Sequence, residues 1–337
     1  MPGRRHTLVA AGTLVSLSLV LTACGGDEGS AEDPTTPVST ANALLLNGEW
    51  PLTGEKLDGD LPKHPVYVVK IDNTTNSAPQ HGLDSADMVA EELVEGGFTR
   101  LVAFYYQDAP GLVGPVRSMR ASDIPIVKPT NAVIIAAGGA ASTKRRVAAA
   151  GISNLGEGSP GFERDDSRSA PYNLYAHLSQ IAAHPTGRWE PPAGPYFQFG
   201  DTDLTDARQV TKISAEFSGA HTTDWVHTDK GWVRTNSNAE KGHDFSVDTV
   251  LLLRVREGDA GYLDPAHNPV PETLLHGSGA AILVHGDKAL VCRWQKTKDP
   301  ASTLVLTTKS GHAVNVPPGH TFVELVPAET GKVTLTK

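Results

Sequence analysis

Runs of apolar residues in the first half of the chain predict buried strands, and amphipathic stretches between them predict helices. The strand-like runs, rich in β-branched and aromatic residues, lie at residues 66–71, 100–106 and 131–136. The helical patterns lie at residues 118–128, 143–150 and 173–183, and residues 83–93 fit either a short helix or a strand entering the sheet. Because strands alternate with helices, this half predicts an α/β-type sheet domain.

The second half of the chain is patterned differently, since helical periodicity is nearly absent after Phe217. Short strand-like segments follow one another at residues 222–227, 231–235, 247–255, 280–284, 289–294, 302–308, 320–326 and 332–336. A tight turn at residues 285–288, with Gly286 and Asp287 at its centre, joins two of them. The pattern predicts a mostly antiparallel β domain with a curled sheet.

Together the two halves predict an α+β chain with two domains. A stretch rich in proline and glycine at residues 187–195 favours a boundary there. We therefore assign residues 46–190 to an N-terminal α/β-type sheet domain and residues 200–337 to a mostly antiparallel β C-terminal domain. The chain of 337 residues is long enough for two separate cores.

The first residues have the order of a bacterial lipoprotein signal. Arg4 and Arg5 precede an uncharged apolar run at residues 8–21, which is shorter than the roughly 20 residues of a bilayer span, and small residues then lead to Cys24. We expect residues 1–23 to be a signal peptide and a lipid on the Cys24 sulfur to anchor the chain to the membrane. Residues 24–45 then form a flexible acidic linker. An uncleaved anchor helix is the alternative, and the export route, general secretory or twin-arginine, stays open.

Charge and cysteine content narrow the function classes. Removal of residues 1–23 takes the formal charge from −9 to −11, because it removes Arg4, Arg5 and no acidic residue. An acidic chain on the extracytoplasmic face of the cell membrane is a poor candidate for binding nucleic acid. With Cys24 lipidated, Cys292 has no partner for an intramolecular disulfide. The sequence contains no metal-ligand spacing and no nucleotide-cofactor motif, so we expect neither a metal nor a cofactor.

Acidic and basic residues are concentrated between residues 87 and 123. This segment contains the candidate catalytic residues Glu92 and Glu95 and the candidate ligand-binding residues Arg100, Arg117, Ser118 and Arg120. If Ser118 begins a helix, its free backbone N–H groups and two arginines favour an anion such as phosphate or carboxylate. A nearby glutamate could act as general acid or base. The competing interpretation is an ion-pair network that only organises the fold.

A second charged loop could complete this site. Residues 162–168 carry several charges and shortly precede Asn173. One interpretation places Arg164 and Asn173 in a loop that closes over the arginines, so that both side chains contact the ligand. The alternative is an ordinary solvated loop.

Several long motifs make the chain similar to one bacterial family. They lie at residues 71–73, 78–83, 94–100, 114–120, 162–164 and 170–175, and in the second half at residues 277–279, 286–288, 294–296 and 318–322. On these motifs the chain resembles the YerB-like bacterial lipoproteins, domain-of-unknown-function family 3048, over nearly the whole mature chain. The resemblance implies a lipid-anchored protein with an N-terminal and a C-terminal domain, and it implies no reaction.

Three function hypotheses follow. In the first, a lipid-anchored envelope protein of unknown biochemical activity binds an anionic or polar ligand, an envelope polymer or a small molecule, through the three arginines, which the two glutamates orient. In the second, an envelope hydrolase or transferase uses Glu92 or Glu95 as acid/base and the arginines to stabilise negative charge. In the third, the β domain is a scaffold that docks an unidentified membrane partner.

Overall fold

The strands of the first half form the centre of one large sheet. In the computed structural model, which describes residues 48–187 and 189–337, β1 (Tyr67–Asp72) and β2 (Met88–Leu93) both pair antiparallel with β3 (Thr99–Tyr105). The strands β4 (Val133–Ile135) and β5 (Asn154–Leu155) extend the sheet in parallel beyond β1. The three strands predicted from the apolar runs are present, with ends shifted by one or two residues.

The helices of the first half are short. They are α1 (Asp123–Val127), α2 (Ala141–Ala149) and α3 (Leu178–Ala183). Single 3-10 turns lie at Thr75–Ser77, Leu83–Ser85, Glu95–Gly97 and Lys128–Thr130. Gly151, with a φ of 67°, follows α2 and provides the left-handed residue that commonly ends a helix. The helix predicted near residues 143–150 is therefore confirmed.

The helix predicted at residues 118–128 begins five residues later than expected. In α1, Pro125 lies in the first turn, where its missing N–H group is not needed. A helix starting at Ser118 would place Pro125 in the interior and break a backbone hydrogen bond. Residues 118–120 are not helical and residues 121–122 form a turn, while the Arg117 N–H donates to the Lys70 carbonyl at 2.7 Å. The expectation of a helix N-terminus at Ser118 is wrong.

The helical pattern at residues 173–183 is also too long. A small hairpin forms there, with β6 (Phe162–Arg164) paired to β7 (Leu174–Ala176), and α3 begins only after it. All three residues of β7 are buried, and Ala176 exchanges two backbone hydrogen bonds with Val113. Strand pairing therefore outweighs the local helical pattern.

No helix follows α3 within the described residues. The strands of the second half are β8 (Arg208–Gln209), β9 (Lys212–Ser218), β10 (His221–Thr228), β11 (Gly231–Arg234), β12 (Thr249–Leu263), β13 (Pro269–Leu274), β14 (Gly277–His285), β15 (Lys288–Lys296), β16 (Val305–Thr307), β17 (Ala313–Val314), β18 (Thr321–Pro327) and β19 (Lys332–Thr336). The strand-rich second half agrees with the sequence pattern.

One strand, β18, joins the two halves of the chain. It pairs in parallel with β12 on one side and with β2 on the other. The sheet order is β17-β16-β15-β14-β12-β18-β2-β3-β1-β4-β5, with β13 beside β12 and β8 beside β15. All seven residues of β18 are buried, as is typical of a central strand. The described chain is thus mostly β with a mixed sheet that runs through both predicted domains, and the division at residues 190–200 stays a prediction.

A second sheet covers one face of the large sheet. Its strand order is β11-β10-β9-β19. Trp225 and Trp232 of this second sheet pack in one buried apolar cluster with Phe322 of the large sheet. A separate apolar cluster fills the opposite face, where Phe104 and Trp294 are buried. Side chains of the central strands are therefore buried on both faces.

None of the helices in the described residues is long and apolar enough to cross a membrane. Residues 1–47 lie outside the described part of the chain. The predicted signal peptide, the lipidation site Cys24 and the linker at residues 24–45 therefore lie outside it too.

Candidate functional site

Strand register places one group of charged residues from the central strands on the same face of the sheet. Arg100 in β3 is paired directly with Asp72 in β1 and with Glu92 in β2. Cross-strand partners in an antiparallel sheet project to the same side. We call the resulting group the arginine cluster; its members are Lys70, Asp72, Glu92, Glu95, Arg100, Arg117, Arg120 and Asp123.

Lys70 lies at the centre of the buried part of this cluster. Its Nζ is 2.5 Å from Glu92 Oε1 and 2.5 Å from Asp123 Oδ1, and all three side chains are fully buried. Burial raises the pKa of Glu92 to about 7 against the charge of Lys70, and the neighbouring Asp123 adds to the rise. Sequence reasoning missed Lys70, although a lysine inside a buried apolar run is a signal, because buried lysines are rarely unpaired.

Arg100 and Arg117 share a single carboxylate. Asp72 Oδ2 is 3.4 Å from Arg100 Nη1 and 3.1 Å from Arg117 Nε. Arg100 is 4 % exposed, and its Nε has no hydrogen-bond partner in the described residues. Burial lowers the pKa of Arg100 to about 10 despite Asp72, and the charges of Arg117 and Arg120 lower it further. Arg100 is thus a buried cation with incomplete compensation.

Arg120 has a more complete set of hydrogen-bond and ion-pair partners than Arg100. Its guanidinium binds both carboxylate oxygens of Glu95, with Nε 2.9 Å from Oε2, and its backbone N–H donates to Asp123 Oδ2 at 2.6 Å. Burial alone would lower the pKa of Arg120, but the Glu95 contacts raise it above its usual value. Glu95 therefore holds the Arg120 guanidinium, whereas the ion pair of Glu92 is with Lys70 and not with an arginine.

The remaining candidate residues are placed differently. The side chain of Arg164 binds Glu157 at 2.5 Å and Asn173 Oδ1 at 2.6 Å, with no ion pair to the arginine cluster in the described residues. Tyr172 and Pro171 contact the cluster instead. The Arg117 guanidinium lies 5.1 Å from the Tyr172 ring centroid and donates to the Pro171 carbonyl at 3.0 Å.

Ser118 is half-buried beside the cluster, and its carbonyl accepts a hydrogen bond from Arg120 at 3.3 Å. The structure therefore brings together Glu92, Glu95, Arg100, Arg117, Ser118 and Arg120. It keeps Arg164 and Asn173 in a separate pair. Arg117, Arg120 and Glu95 form the accessible rim, since their side chains are between 11 and 17 % exposed.

A second polar group lies on the opposite face of the same strands. We call it the Glu91 cluster; its members are Asn73, Glu91, Thr99, His221, Thr223 and Glu324. Glu91 accepts hydrogen bonds from His221 at 2.7 Å and from Thr99 at 2.6 Å. Burial would raise the pKa of Glu91, but the charge and hydrogen bond of His221 hold it below its usual value.

Glu324 of β18 lies directly beside Glu91 in the strand register and accepts a hydrogen bond from Trp225 at 2.7 Å. Burial and the charge of Glu91 raise the pKa of Glu324 well above its usual value. Two buried carboxyl groups whose pKa values are shifted in opposite directions thus lie side by side. Sequence reasoning did not anticipate this pair, since its members are more than two hundred residues apart.

The charges of the arginine cluster do not fully cancel near neutral pH. Its four cations, Lys70 and three arginines, face four acidic groups, but the pKa of Glu92 leaves one of those acids only partly ionised near neutral pH. A guanidinium pair suits carboxylate or phosphate oxygens. No group of three or more His, Cys, Asp or Glu side chains that could hold a metal ion occurs among residues 48–187 and 189–337.

Comparisons with known proteins agree with the family resemblance. Two models of DUF3048, a family of proteins of unknown function, match the chain. The N-terminal domain model matches residues 52–189, and the C-terminal domain model matches residues 212–323. A Bacillus subtilis (strain 168) protein named "Putative lipoprotein YerB" is 23% identical over 293 residues, which cover 82% of this chain and 86% of that protein. The crystal structure of YerB protein from Bacillus subtilis has a TM-score of 0.69 at 19% identity, covers 85% of this chain and 99% of that chain, and shows the shared fold. Because the two family models span most of the sequence, the chain belongs to the DUF3048 family.

Proposed function

We propose that this chain is a lipid-anchored protein of the bacterial cell envelope that binds an anionic ligand at Arg100 and Arg117. The anchor is supported by the order of charged, apolar and small residues that leads to Cys24, and by the lipoprotein name of the Bacillus subtilis relative. A lipid on Cys24 holds the folded part at the extracytoplasmic face of the membrane. Its ligand is then a component of the envelope or its surroundings.

One observation carries the binding proposal: two arginines share one carboxylate. Asp72 compensates only one positive charge, and Arg100 retains an unpaired Nε although it is almost fully buried. A buried charge that lacks full compensation is costly. A phosphate or carboxylate oxygen next to Arg117 supplies the missing negative charge, and Arg120, oriented by Glu95, is the third anchor.

The test compares two arginine variants with the wild-type protein. Arg117→Ala removes a rim anchor, and Arg164→Ala is a matched control whose side chain binds Glu157 elsewhere. We expect wild-type and Arg164→Ala proteins to co-sediment with isolated cell envelopes and to show a higher Tm in inorganic phosphate. We expect Arg117→Ala to lose about tenfold in affinity, as is typical of a lost charged contact. Equal behaviour of all three proteins would contradict the proposal.

An envelope hydrolase or transferase is a second candidate, and one observation favours it. The pKa of Glu92, raised by burial to about 7, suits a general acid or base. However, the side chain of Glu92 is fully buried and bound to Lys70, so a substrate reaches it only if the rim opens. Docking of a membrane partner by the β-rich half stays a prediction.

A further inference from the structure

Away from the arginine cluster, the outer edge of β15 has a gap in its partner strands. β8 pairs with Lys288 and Ala289 near one end of β15, and β16 pairs with residues 293–295 near the other. Residues 290–292 have no strand partner on this side in the part of the chain that the structure describes. Both flanking strands run antiparallel to β15, so the gap has the shape of a missing piece of strand.

Strand alternation makes Val291 the residue whose backbone faces this gap. The two-residue turn that joins β14 to β15 makes Lys288 the first residue of β15 that bonds to β14. Residues 290 and 292 then also bond to β14, and Val291 directs its N–H and C=O groups outward. The Val291 side chain is 66 % exposed, which is unusual for an apolar residue in a central part of a strand.

The gap opens into a groove of about 700 Å³. This volume lies in the range of small-ligand pockets. Val291 and its neighbours form the apolar floor, the segment that leads into β8 forms one end, and the turn between β16 and β17 forms the other. The groove thus combines free backbone groups with an apolar contact surface.

Single charges of opposite sign line the groove on either side of the gap. Asp206 lies two residues before Arg208 of β8, whereas Lys309 lies two residues after Thr307 of β16. Asp206 and Lys309 form no ion pair with any residue in the described ranges. A ligand with a positive and a negative end therefore complements the groove.

We propose that this groove binds a short extended peptide of about three residues with free termini. The peptide runs parallel to β15, so the Val291 N–H donates to the carbonyl of its first residue and the Val291 carbonyl accepts from the N–H of its third residue, as in strand addition to a sheet edge. The ammonium group lies near Asp206, and the carboxylate lies near Lys309. The span from residue 289 to residue 293 is about 13 Å, which limits the bound segment to about three residues. β8 and β16 close both ends in line, which favours a free peptide over an internal segment of a protein.

Calorimetric titration of the purified protein with the tripeptide Ala-Val-Ala tests the proposal. We expect the peptide with free termini to bind at least about tenfold more tightly than the same peptide acetylated and amidated at its ends. No binding of the free peptide would overturn the proposal. Equal binding of the blocked peptide would also overturn it and would indicate docking of a protein segment instead.

Variants separate the charge contacts from the backbone contacts. We expect Lys309→Ala to weaken binding about fivefold, and Lys298→Ala, which changes an exposed lysine outside the groove, to have no effect. Val291→Pro removes the outward N–H without removing a hydrogen bond to β14, so it abolishes binding while the Tm stays near the wild-type value. If Val291→Pro unfolds the chain, Asp206→Ala with its expected fivefold loss provides the test. Unchanged affinity in both Lys309→Ala and Asp206→Ala would refute the peptide site.

Discussion

Glu91 and Glu92 are successive residues of one strand and are both fully buried. Their pKa values are nevertheless shifted in opposite directions from the usual value of a glutamate. Glu91 accepts hydrogen bonds from four side chains, and its pKa lies below its usual value. Glu92 has one donor, Lys70, and one oxygen without a partner, and burial raises its pKa to about 7. The difference follows from the neighbours of each carboxylate, since the charge and hydrogen bond of His221 lower the pKa of Glu91, whereas the neighbouring Asp123 adds to the rise that burial causes at Glu92.

The largest loss of stability should come from removing Lys70, the cation that pairs with Glu92 and Asp123. Lys70→Met leaves Glu92 and Asp123 buried beside each other without compensation, and we expect a loss of about 3–5 kcal/mol in the free energy of unfolding. Urea denaturation followed by circular dichroism measures it. The exposed variant Lys332→Met is the control, and adding Glu92→Gln and Asp123→Asn should recover most of the loss. A Lys70→Met protein as stable as wild type would show that Glu92 and Asp123 do not need the charge of Lys70.

A smaller loss in the free energy of unfolding is expected when Glu91 is replaced. Glu91→Gln removes the ion pair with His221 and leaves more donors than acceptors in the cluster, which should cost roughly 1–3 kcal/mol at pH 7. Glu92→Gln at the same pH should cost less than about 1 kcal/mol, because Glu92, with a pKa of about 7, is already partly protonated there and its protonated form has the same charge as a glutamine. Urea midpoints of the two variants provide the measurement. The reverse order of stabilities would show that the two carboxylates are assigned to the wrong charge states.

Glu91 and Glu92 should also contribute to stability with opposite pH dependence. The folded-state pKa of Glu92 is raised above its unfolded value, so its stabilising contribution is complete below the unfolded pKa and is lost as the pH rises through about 7. The pKa of Glu91 is lowered, so its contribution is present above the unfolded pKa and is lost as the pH falls through its folded pKa. Unfolding free energies measured between pH 4.5 and 7 should therefore decline less steeply with pH in Glu92→Gln than in wild type. Parallel curves would count against the raised pKa.

The smallest effect is expected at the exposed pair of Arg164 and Glu157. Their side chains are 38 % and 49 % exposed, and ion pairs of this kind contribute less than about 1 kcal/mol. Arg164→Ala should therefore change the urea midpoint little and make a sound binding control. A loss as large as that of Lys70→Met would instead assign a structural role to the loop that contains Asn173.

Local patterns in the sequence predicted many of the strands, although they did not predict β9 or β13. The run at residues 66–71 became β1, and the last predicted strand became β19 without a shift, since apolar alternation reports burial directly. The helix predicted from Ser118 is wrong because Pro125 would lie in its interior, whereas in α1 it lies in the first turn. A proline eight residues into a helix is a strong signal for a later start.

Most features that could not be predicted from the sequence depend on contacts between residues far apart in the chain. The candidate glutamates and arginines at residues 92–120 do lie together, because strand register brings neighbouring strands into contact. The placement of His221 beside Glu91 joins residues 130 positions apart, and no local pattern encodes it. The parallel insertion of β18 between β12 and β2 is of the same kind.

The insertion of β18 also sets the order in which the molecule can be assembled. If the chain is exported from its N-terminus, as we propose, β2 reaches the outside more than two hundred residues before its neighbour does. Until β18 arrives, β2 and β12 each present a bare, apolar edge that can pair with other chains. Productive assembly therefore waits for β18 to emerge, and a chain truncated before residue 321 should be prone to aggregation and proteolysis during biogenesis.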